Sequence, residues 1–139
     1  MKKEDQKSFP IQLSEEEWRA KLDPDTYYVL RQKGTERPYT GAYYLNHETG
    51  IYECAGCGND IFHSEDKYDS GCGWPSFTKP VSKEAITVKM DYSHGMIREE
   101  ILCAGCGGHL GHRFPDGPSD RGGIRYCINS ISMNFNPEH

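Results

Sequence analysis

The sequence predicts an antiparallel β domain preceded by two short helices, and three observations carry that prediction. From Tyr39 onward the chain consists of short runs of β-formers broken by Gly, Pro, Asn and Asp, the texture of strands joined by tight turns. Ahead of it stand two helix-start signals, Ser14-Glu-Glu-Glu17 and Asp23-Pro24. Two copies of one pentapeptide, Cys-Ala-Gly-Cys-Gly at 54–58 and 103–107, punctuate the β region as paired metal knuckles would.

Taken in order, residues 1–12 read as a mobile polar tail. Its first five residues, Met1-Lys2-Lys3-Glu4-Asp5, lead into no apolar run, so no signal peptide is expected. Residues 13–139 read as a single domain, a length that suits one modest core. The first helix has Ser14 as N-cap, Glu17 closing a capping box and Leu13 stapling onto Trp18. The second has Pro24 at its first position, Arg31 and Lys33 in its last turn and Gly34 past its end. Both are expected to pack over a sheet without chemistry of their own. Strands are expected near 42–45, 50–53, 59–62, 85–90, 96–102, 109–114, 123–128 and 130–135. Two hairpins feed the knuckles: 43–52 runs into the first, and 85–102, turning at Asp91-Tyr92-Ser93-His94-Gly95, into the second.

Composition narrows the partners. With 21 acidic against 16 basic side chains the net charge is −5, and a protein that grips phosphate backbones would usually carry a basic face. No nucleic-acid partner is expected. Nor is a membrane span, because no apolar stretch reaches the length of one. Nine Tyr and two Trp offset a thin aliphatic core, as does a metal that ties the chain together.

Cys54, Cys57, Cys103 and Cys106 are read as one Cys₄ set. Four thiolates leave Zn²⁺ no open position, so the expected cofactor is one structural zinc ion that closes the long loop between the knuckles. Disulfides within or between the knuckles are the alternative, and a reducing, cytoplasmic compartment disfavours them.

Two cysteines remain. If 123–128 is a strand, Arg125, Cys127 and Asn129 share one face while Tyr126 and Ile128 take the other. A guanidinium beside a thiol favours the thiolate; equally, Cys127 could be a small buried hydrophobe. Cys72, between two glycines in Ser70-Gly-Cys-Gly-Trp-Pro-Ser-Phe77, is placed to swing as a resolving thiol, with Trp74 as an apolar wall or as core. His109 and His112 follow the second knuckle and supply proton carriers near neutral pH; a metal ligand or a surface role is the alternative. His47, His63, His94 and His139 read as surface residues.

Cys54-x-x-Cys57, Ser70-Gly-Cys-Gly-Trp-Pro-Ser-Phe77, Cys103-x-x-Cys106, His109-Leu-Gly-His-Arg-Phe-Pro-Asp-Gly-Pro118 and Arg125-Tyr-Cys-Ile-Asn-Ser130 together resemble the B-type peptide methionine sulfoxide reductases, from about Leu13 to Phe135. The resemblance implies a mainly β fold of two antiparallel sheets around a small core, with short N-terminal helices outside and the zinc away from the catalytic face. It implies reduction of methionine-R-sulfoxide in proteins, and more weakly of the free amino acid, by the enzyme class peptide-methionine (R)-S-oxide reductase. Cys127 is then the nucleophile that becomes a sulfenic acid, and Cys72 condenses with it to a disulfide that thioredoxin reduces. His112 and His109 protonate the departing oxygen or position water. Arg125 lowers the Cys127 pKa, and Asn129 orients substrate or histidines. Trp74 and Phe114 bind the substrate.

Two rivals compete with this reading. A non-catalytic zinc-ribbon interaction module explains the knuckles but leaves Cys72, Cys127 and both histidines idle. A zinc deaminase, suggested by His63-Ser64-Glu65 upstream of Cys103-x-x-Cys106, lacks the Pro before Cys103 and gives Cys54 and Cys57 no task.

Overall fold

The computed structural model describes residues 9–137. Residues 1–8 of the expected tail and His139 lie outside the described residues, as does the side chain of His94. Two helices, α1 (Glu15–Lys21) and α2 (Pro24–Gln32), precede nine strands: β1 (Gly50–Cys54), β2 (Asp60–His63), β3 (Lys67–Tyr68), β4 (Ser76–Phe77), β5 (Ile86–Asp91), β6 (Arg98–Cys103), β7 (His109–Phe114), β8 (Arg125–Ile128) and β9 (Met133–Pro137). They form a three-stranded sheet, β2-β1-β9, and a six-stranded sheet, β3-β4-β8-β7-β6-β5. All described pairings are antiparallel, as the mainly β, two-sheet expectation requires.

Local chemistry explains the helices. Glu17 N–H donates to Ser14 Oγ (3.1 Å) and Ser14 N–H to Glu17 Oε1 (2.8 Å), so two orphan donors at the start of α1 are satisfied reciprocally. α2 starts on Pro24, whose missing N–H costs nothing there. Its end departs from expectation. The left-handed residue is Lys33 (φ 59°, ψ 33°), one position before Gly34. A side chain in that conformation costs about 1–2 kcal/mol, and here it turns Lys33 back toward the six-stranded sheet.

The core lies between the sheets and under the helices. Phe62 of the small sheet stacks on Phe77 of the large one at 4.2 Å between ring centres, and Tyr52 meets Phe77 edge-on at 5.2 Å. Ile61, Ile101, Leu110 and Ile128 are fully buried around them. Trp18 of α1 is buried beneath the Arg31 guanidinium, 4.5 Å above its ring. A Cβ on Gly56 would lie 3.3 Å from Trp18, and one on Gly108 would press on Leu30 at 2.8 Å, so the helices sit directly on the knuckles.

Three expectations need correction. Residues 42–45 form turns, and the 43–52 hairpin does not exist; β1 pairs with β2 and β9 instead. Tyr43 is an aromatic plug, edge-on to Tyr52 at 5.6 Å, so its ring serves packing and not a ladder. Ser130–Ser132 is a 3₁₀ turn, and the last strand starts only at Met133. The two-residue strands β3 and β4 were not foreseen. The 85–102 hairpin forms as β5 and β6, in register from Ile86 opposite Cys103 to Asp91 opposite Arg98. Residues just before the expected domain start already contact it: Ile11 N–H donates to Gly105 C=O at 2.8 Å, and Phe9 covers Gly107.

Candidate active site

The two knuckles are built alike, hydrogen bond for hydrogen bond. Cys54 N–H donates to Asn59 C=O (2.8 Å) and Cys103 N–H to Gly108 C=O (2.9 Å). Gly56 N–H reaches Cys54 Sγ and Gly105 N–H reaches Cys103 Sγ, both at 3.3 Å. Gly58 and Gly107 close the two turns at φ 81° and 75°, where a side chain would be strained. The four Sγ atoms lie within 4.8 Å of one another, with Cys54–Cys106 at 3.7 Å and Cys57–Cys103 at 3.5 Å. Tetrahedral Zn–S bonds of 2.3 Å demand S···S separations of about 3.8 Å, so the tetrad fits a structural metal site with its N–H donors already aimed at sulfur. His63 is outside this group. It is half-buried, not simply at the surface, and its Nδ1 accepts from Glu65 N–H at 3.0 Å. Among the described residues, a three-ligand site with an open position, which a deaminase needs, is therefore not built.

Neither Cys72 nor Cys127 belongs to the tetrad; they face each other, Sγ to Sγ, at 3.5 Å. Cys127 is on β8 and Cys72 on the loop before β4. That loop was expected to swing, yet it is pinned: Tyr39 N–H donates to Gly73 C=O (2.7 Å) and Tyr39 Oη–H to Gly71 C=O (3.2 Å). Gly73, at φ 98°, also has no room for a side chain, because its Cβ would meet Pro38 at 2.7 Å. Ser70 and Ser76 join the pair, Ser76 Oγ lying 3.4 Å from Cys72 Sγ.

Sheet register assembles the rest. Directly opposed residues of antiparallel strands share a face, and one such row reads Ser76, Cys127, His112, Glu100, Lys89 across β4-β8-β7-β6-β5. His112 is thus the cross-strand partner of Cys127. As expected for β8, Tyr126 and Ile128 turn to the core. His109 is three residues from His112, and a regular strand would aim the two at opposite faces. A β-bulge, with Leu110 as the extra residue on β7, puts His109 opposite Leu102 and on the His112 face.

A cavity of about 90 Å³ opens on this face, lined by Thr35, Trp74, Arg98, His112, Phe114, Cys127 and Asn129. It suits a side-chain tip, being well below the several hundred Å³ of a site for a whole cofactor. Three larger hollows, of about 380, 490 and 560 Å³, hold neither Cys72 nor Cys127. Trp74 is fixed by its indole N–H donating to Glu36 C=O at 3.0 Å. Phe114 lies under the Arg125 guanidinium, 4.6 Å away.

The sequence-predicted residues separate into those on the cavity wall and those behind it. Arg125 is behind, in a two-point ion pair with Asp116 (2.9 and 3.2 Å). It favours a Cys127 thiolate, but the contact with Cys72 and then burial outweigh it and hold the Cys127 proton on. Cys72 moves the other way, its thiolate favoured first by Cys127 and further by Ser70 and Ser76. One proton shared between adjacent thiols is the cause: the pair gives up its first easily and its second with difficulty. Arg125 acts in the expected direction, toward the thiolate, while the contact with Cys72 and burial act against it. Asn129 spends both ends of its amide on backbone, accepting from Glu36 N–H (2.9 Å) and donating to Leu110 C=O (3.0 Å). The second contact ties Asn129 to Leu110, the bulge residue between the two histidines. His109 is buried behind His112, its Nδ1 2.7 Å from Glu100. Asp116, Glu100, Asp91 and Lys33 were missed, since only long-range pairing brings them here.

Residues 22–137 match the family described as the SelR domain. The chain is 57% identical over 125 residues to a peptide methionine sulfoxide reductase MsrB of Bradyrhizobium diazoefficiens, covering 90% of this chain and 89% of that one. It is 54% identical to the protein of the same name in Chromohalobacter salexigens, with 91% and 96% covered. For that of Methanosarcina barkeri the figures are 52%, 92% and 89%. No described helix is long and apolar enough to cross a membrane.

Proposed function

Since the chain belongs to the SelR-domain family, we propose that it reduces methionine-R-sulfoxide in proteins to methionine, with Cys127 as nucleophile and Cys72 as resolving thiol. One observation supports the assignment of roles most directly: of two thiols 3.5 Å apart, only Cys127 lines the cavity. The substrate's methyl group rests against Trp74 and Phe114, and its sulfur meets Cys127. A module without catalysis would give this arrangement no task.

The Cys127 sulfur attacks the sulfoxide sulfur. The proton lost by the thiol passes to His112 and from there to the sulfoxide oxygen, so no outside acid is consumed. Oxygen then moves to the Cys127 sulfur, leaving a sulfenic acid; the substrate sulfur gains the two electrons that Cys127 loses, and a thioether departs. Cys72, as a thiolate, attacks the Cys127 sulfur, the S–O bond breaks, and hydroxide leaves, becoming water with a proton from solvent that replaces the one Cys72 gave up. The sulfurs close from 3.5 Å to a bond of about 2.0 Å, which rotation about the side-chain bonds supplies. Thioredoxin returns both to thiols, in the cytoplasm. His109 acts from behind His112 and not on substrate.

Zn²⁺ is the ion proposed for the tetrad, held by Cys54, Cys57, Cys103 and Cys106. Bound there it supplies charge neutralisation and cross-linking, with no open position for substrate. Mass spectrometry of protein treated with a peptide methionine-R-sulfoxide, without reductant, tests the cycle. A Cys72–Cys127 disulfide and one equivalent of methionine are expected; unchanged thiols after full exposure would refute it.

A further inference from the structure

Behind His112 three charged side chains from three separate elements converge, and the chemistry above uses none of them. Asp91, at the end of β5, has a 3% exposed side chain surrounded by donors. His112 Nε2 is 2.8 Å from Oδ2, Arg98 Nη2 is 3.3 Å from the same oxygen, Lys33 Nζ is 3.5 Å from Oδ1, and Ser93 N–H donates to Oδ1 at 3.0 Å. Lys33 also lies 3.3 Å from Glu100 Oε1, while Glu100 Oε2 is 2.7 Å from His109. One ammonium thus ties together the two carboxylates that face the two histidines. It reaches them from the left-handed residue that ends α2, a disfavoured conformation that persists because the surroundings hold it.

The geometry limits what His112 can do. A carboxylate gripped from four directions stays charged and cannot rotate, so the ring nitrogen facing it carries its hydrogen. His112 lines the cavity, and Nδ1 is the ring nitrogen that Asp91 does not engage. We propose that Asp91, clamped by Lys33 and Arg98, is a positioning residue that fixes His112 as the Nε2–H tautomer and thereby presents Nδ1 as the carrier of the Cys127 proton. The inference rests on the reductase reading above. In the step itself the Cys127 S–H bond breaks and Nδ1–H forms. Nδ1–H then breaks as the sulfoxide oxygen takes the proton, and His112 ends as it began, its Nε2–H held by Asp91 throughout. The other charged or titratable groups facing the ring are Arg98, Glu100, His109 and Cys127. Burial, the largest influence on His112, favours the neutral ring that this step needs, and Asp91 opposes it only in part.

The test uses the metal-loaded protein and the Asp91→Asn variant, whose amide keeps the size of the carboxylate but can donate to Nε2 and stabilise the wrong tautomer. The single-turnover rate of disulfide formation with a peptide methionine-R-sulfoxide is expected to fall by about 100-fold or more, with KM little changed because Asp91 is not on the cavity wall. Combined with His112→Ala, it should add nothing, since both act through one ring. Nitrogen NMR of His112 in the resting protein should show hydrogen on Nε2 and a bare Nδ1, a reading that needs no substrate. An Asp91→Asn variant as fast as wild type, a loss that multiplies that of His112→Ala, or hydrogen resting on Nδ1 would each overturn the proposal. If Asp91→Asn does not fold, Lys33→Gln removes the clamp from its solvent side and should slow the same step about 3- to 10-fold, again with no addition to His112→Ala; a wild-type rate would overturn it. Wild-type protein that forms no disulfide at all would strike the reductase reading and not this one, which the NMR measurement decides separately.

Discussion

In one region four sulfurs are enclosed: two identical knuckles surround them, backbone N–H groups point at them, and Trp18 and Leu30 lie over the turns. In the other, two sulfurs sit 3.5 Å apart, one of them on the wall of a cavity beside Trp74 and His112. Spacing between sulfurs does not distinguish the regions, since the tetrad also has pairs at 3.5 and 3.7 Å. What differs is the surroundings. The tetrad has enough thiols to complete a metal's coordination, so none is left over for a substrate even though Cys106 borders the hollow of about 380 Å³. The pair has too few thiols for a metal, but it has a proton carrier as its cross-strand neighbour. Thiol chemistry here is set by stoichiometry and access, and one substitution in each region separates the two.

The largest effects should be total and of opposite kinds. Cys127→Ser is expected to abolish methionine sulfoxide reduction while metal content and thermal midpoint stay those of the wild type. Cys103→Ser, or a strong chelator, is expected to release the metal and unfold the chain, because a structural Zn²⁺ contributes on the order of 10 kcal/mol to folding. Metal analysis with circular dichroism checks both. A Cys103→Ser protein that stays folded and turns over would break the division between the regions.

Next in size is Cys72→Ser. One equivalent of methionine should still form, leaving Cys127 as a sulfenic acid that a dimedone-type probe traps, while thioredoxin-driven turnover falls by at least about 100-fold because no disulfide is presented. The same variant tests the shared proton. Without Cys72 the Cys127 thiol loses the contact that most strongly holds its proton on, so its alkylation at neutral pH should become faster. Unchanged alkylation would show that Arg125 and burial, not the neighbouring thiol, set its acidity.

What was legible in the sequence follows the same division. The tetrad was, because each knuckle is local and the pattern occurs twice. The α1 cap was too, since Ser14 and Glu17 are three residues apart. The Cys72–Cys127 contact was not, because the short strand β4 that joins them lies in a Gly-, Pro- and Ser-rich stretch with no alternation to read. The misplaced strand at 42–45 shows the converse error: Tyr43 has the composition of a strand residue but is selected for packing between Tyr52 and Phe135. The two histidines were singled out by proximity in sequence, yet their common face depends on the Leu110 bulge, and their carboxylate partners lie 9 and 21 residues away, on β6 and, beyond it, on β5.

Acidity gives a smaller, graded separation. Burial lowers the His112 pKa despite Asp91, so the ring stays neutral below the ordinary histidine value of about 6.5. If it must be neutral to take the Cys127 proton, the single-turnover rate should hold level through pH 6.5 and decline only at lower pH. Stability moves in the same direction for a separate reason. The unfolded His112 binds a proton that the folded ring refuses, so folding weakens as pH falls through 6.5. Asp91, held below the usual carboxylate range because contacts led by His112 outweigh its burial, withdraws its contribution only at still lower pH. A rate midpoint at or above 6.5 would remove His112 as the acceptor.

The smallest effect is expected from Ser14→Ala. It deletes the side chain that accepts from Glu17 N–H, and loss of such a cap costs about 1 kcal/mol. Its significance lies in where the helix sits. α1 carries Trp18 onto the first knuckle, whereas none of its residues lines the cavity. Fraying of α1 should therefore loosen the tetrad and leave the pair alone: the thermal midpoint drops by a few degrees, the metal exchanges faster with a competing chelator, and kcat and KM are unchanged. A fall in kcat with metal fully retained would mean that α1 supports the cavity through α2 and Lys33, and that the two regions are mechanically one.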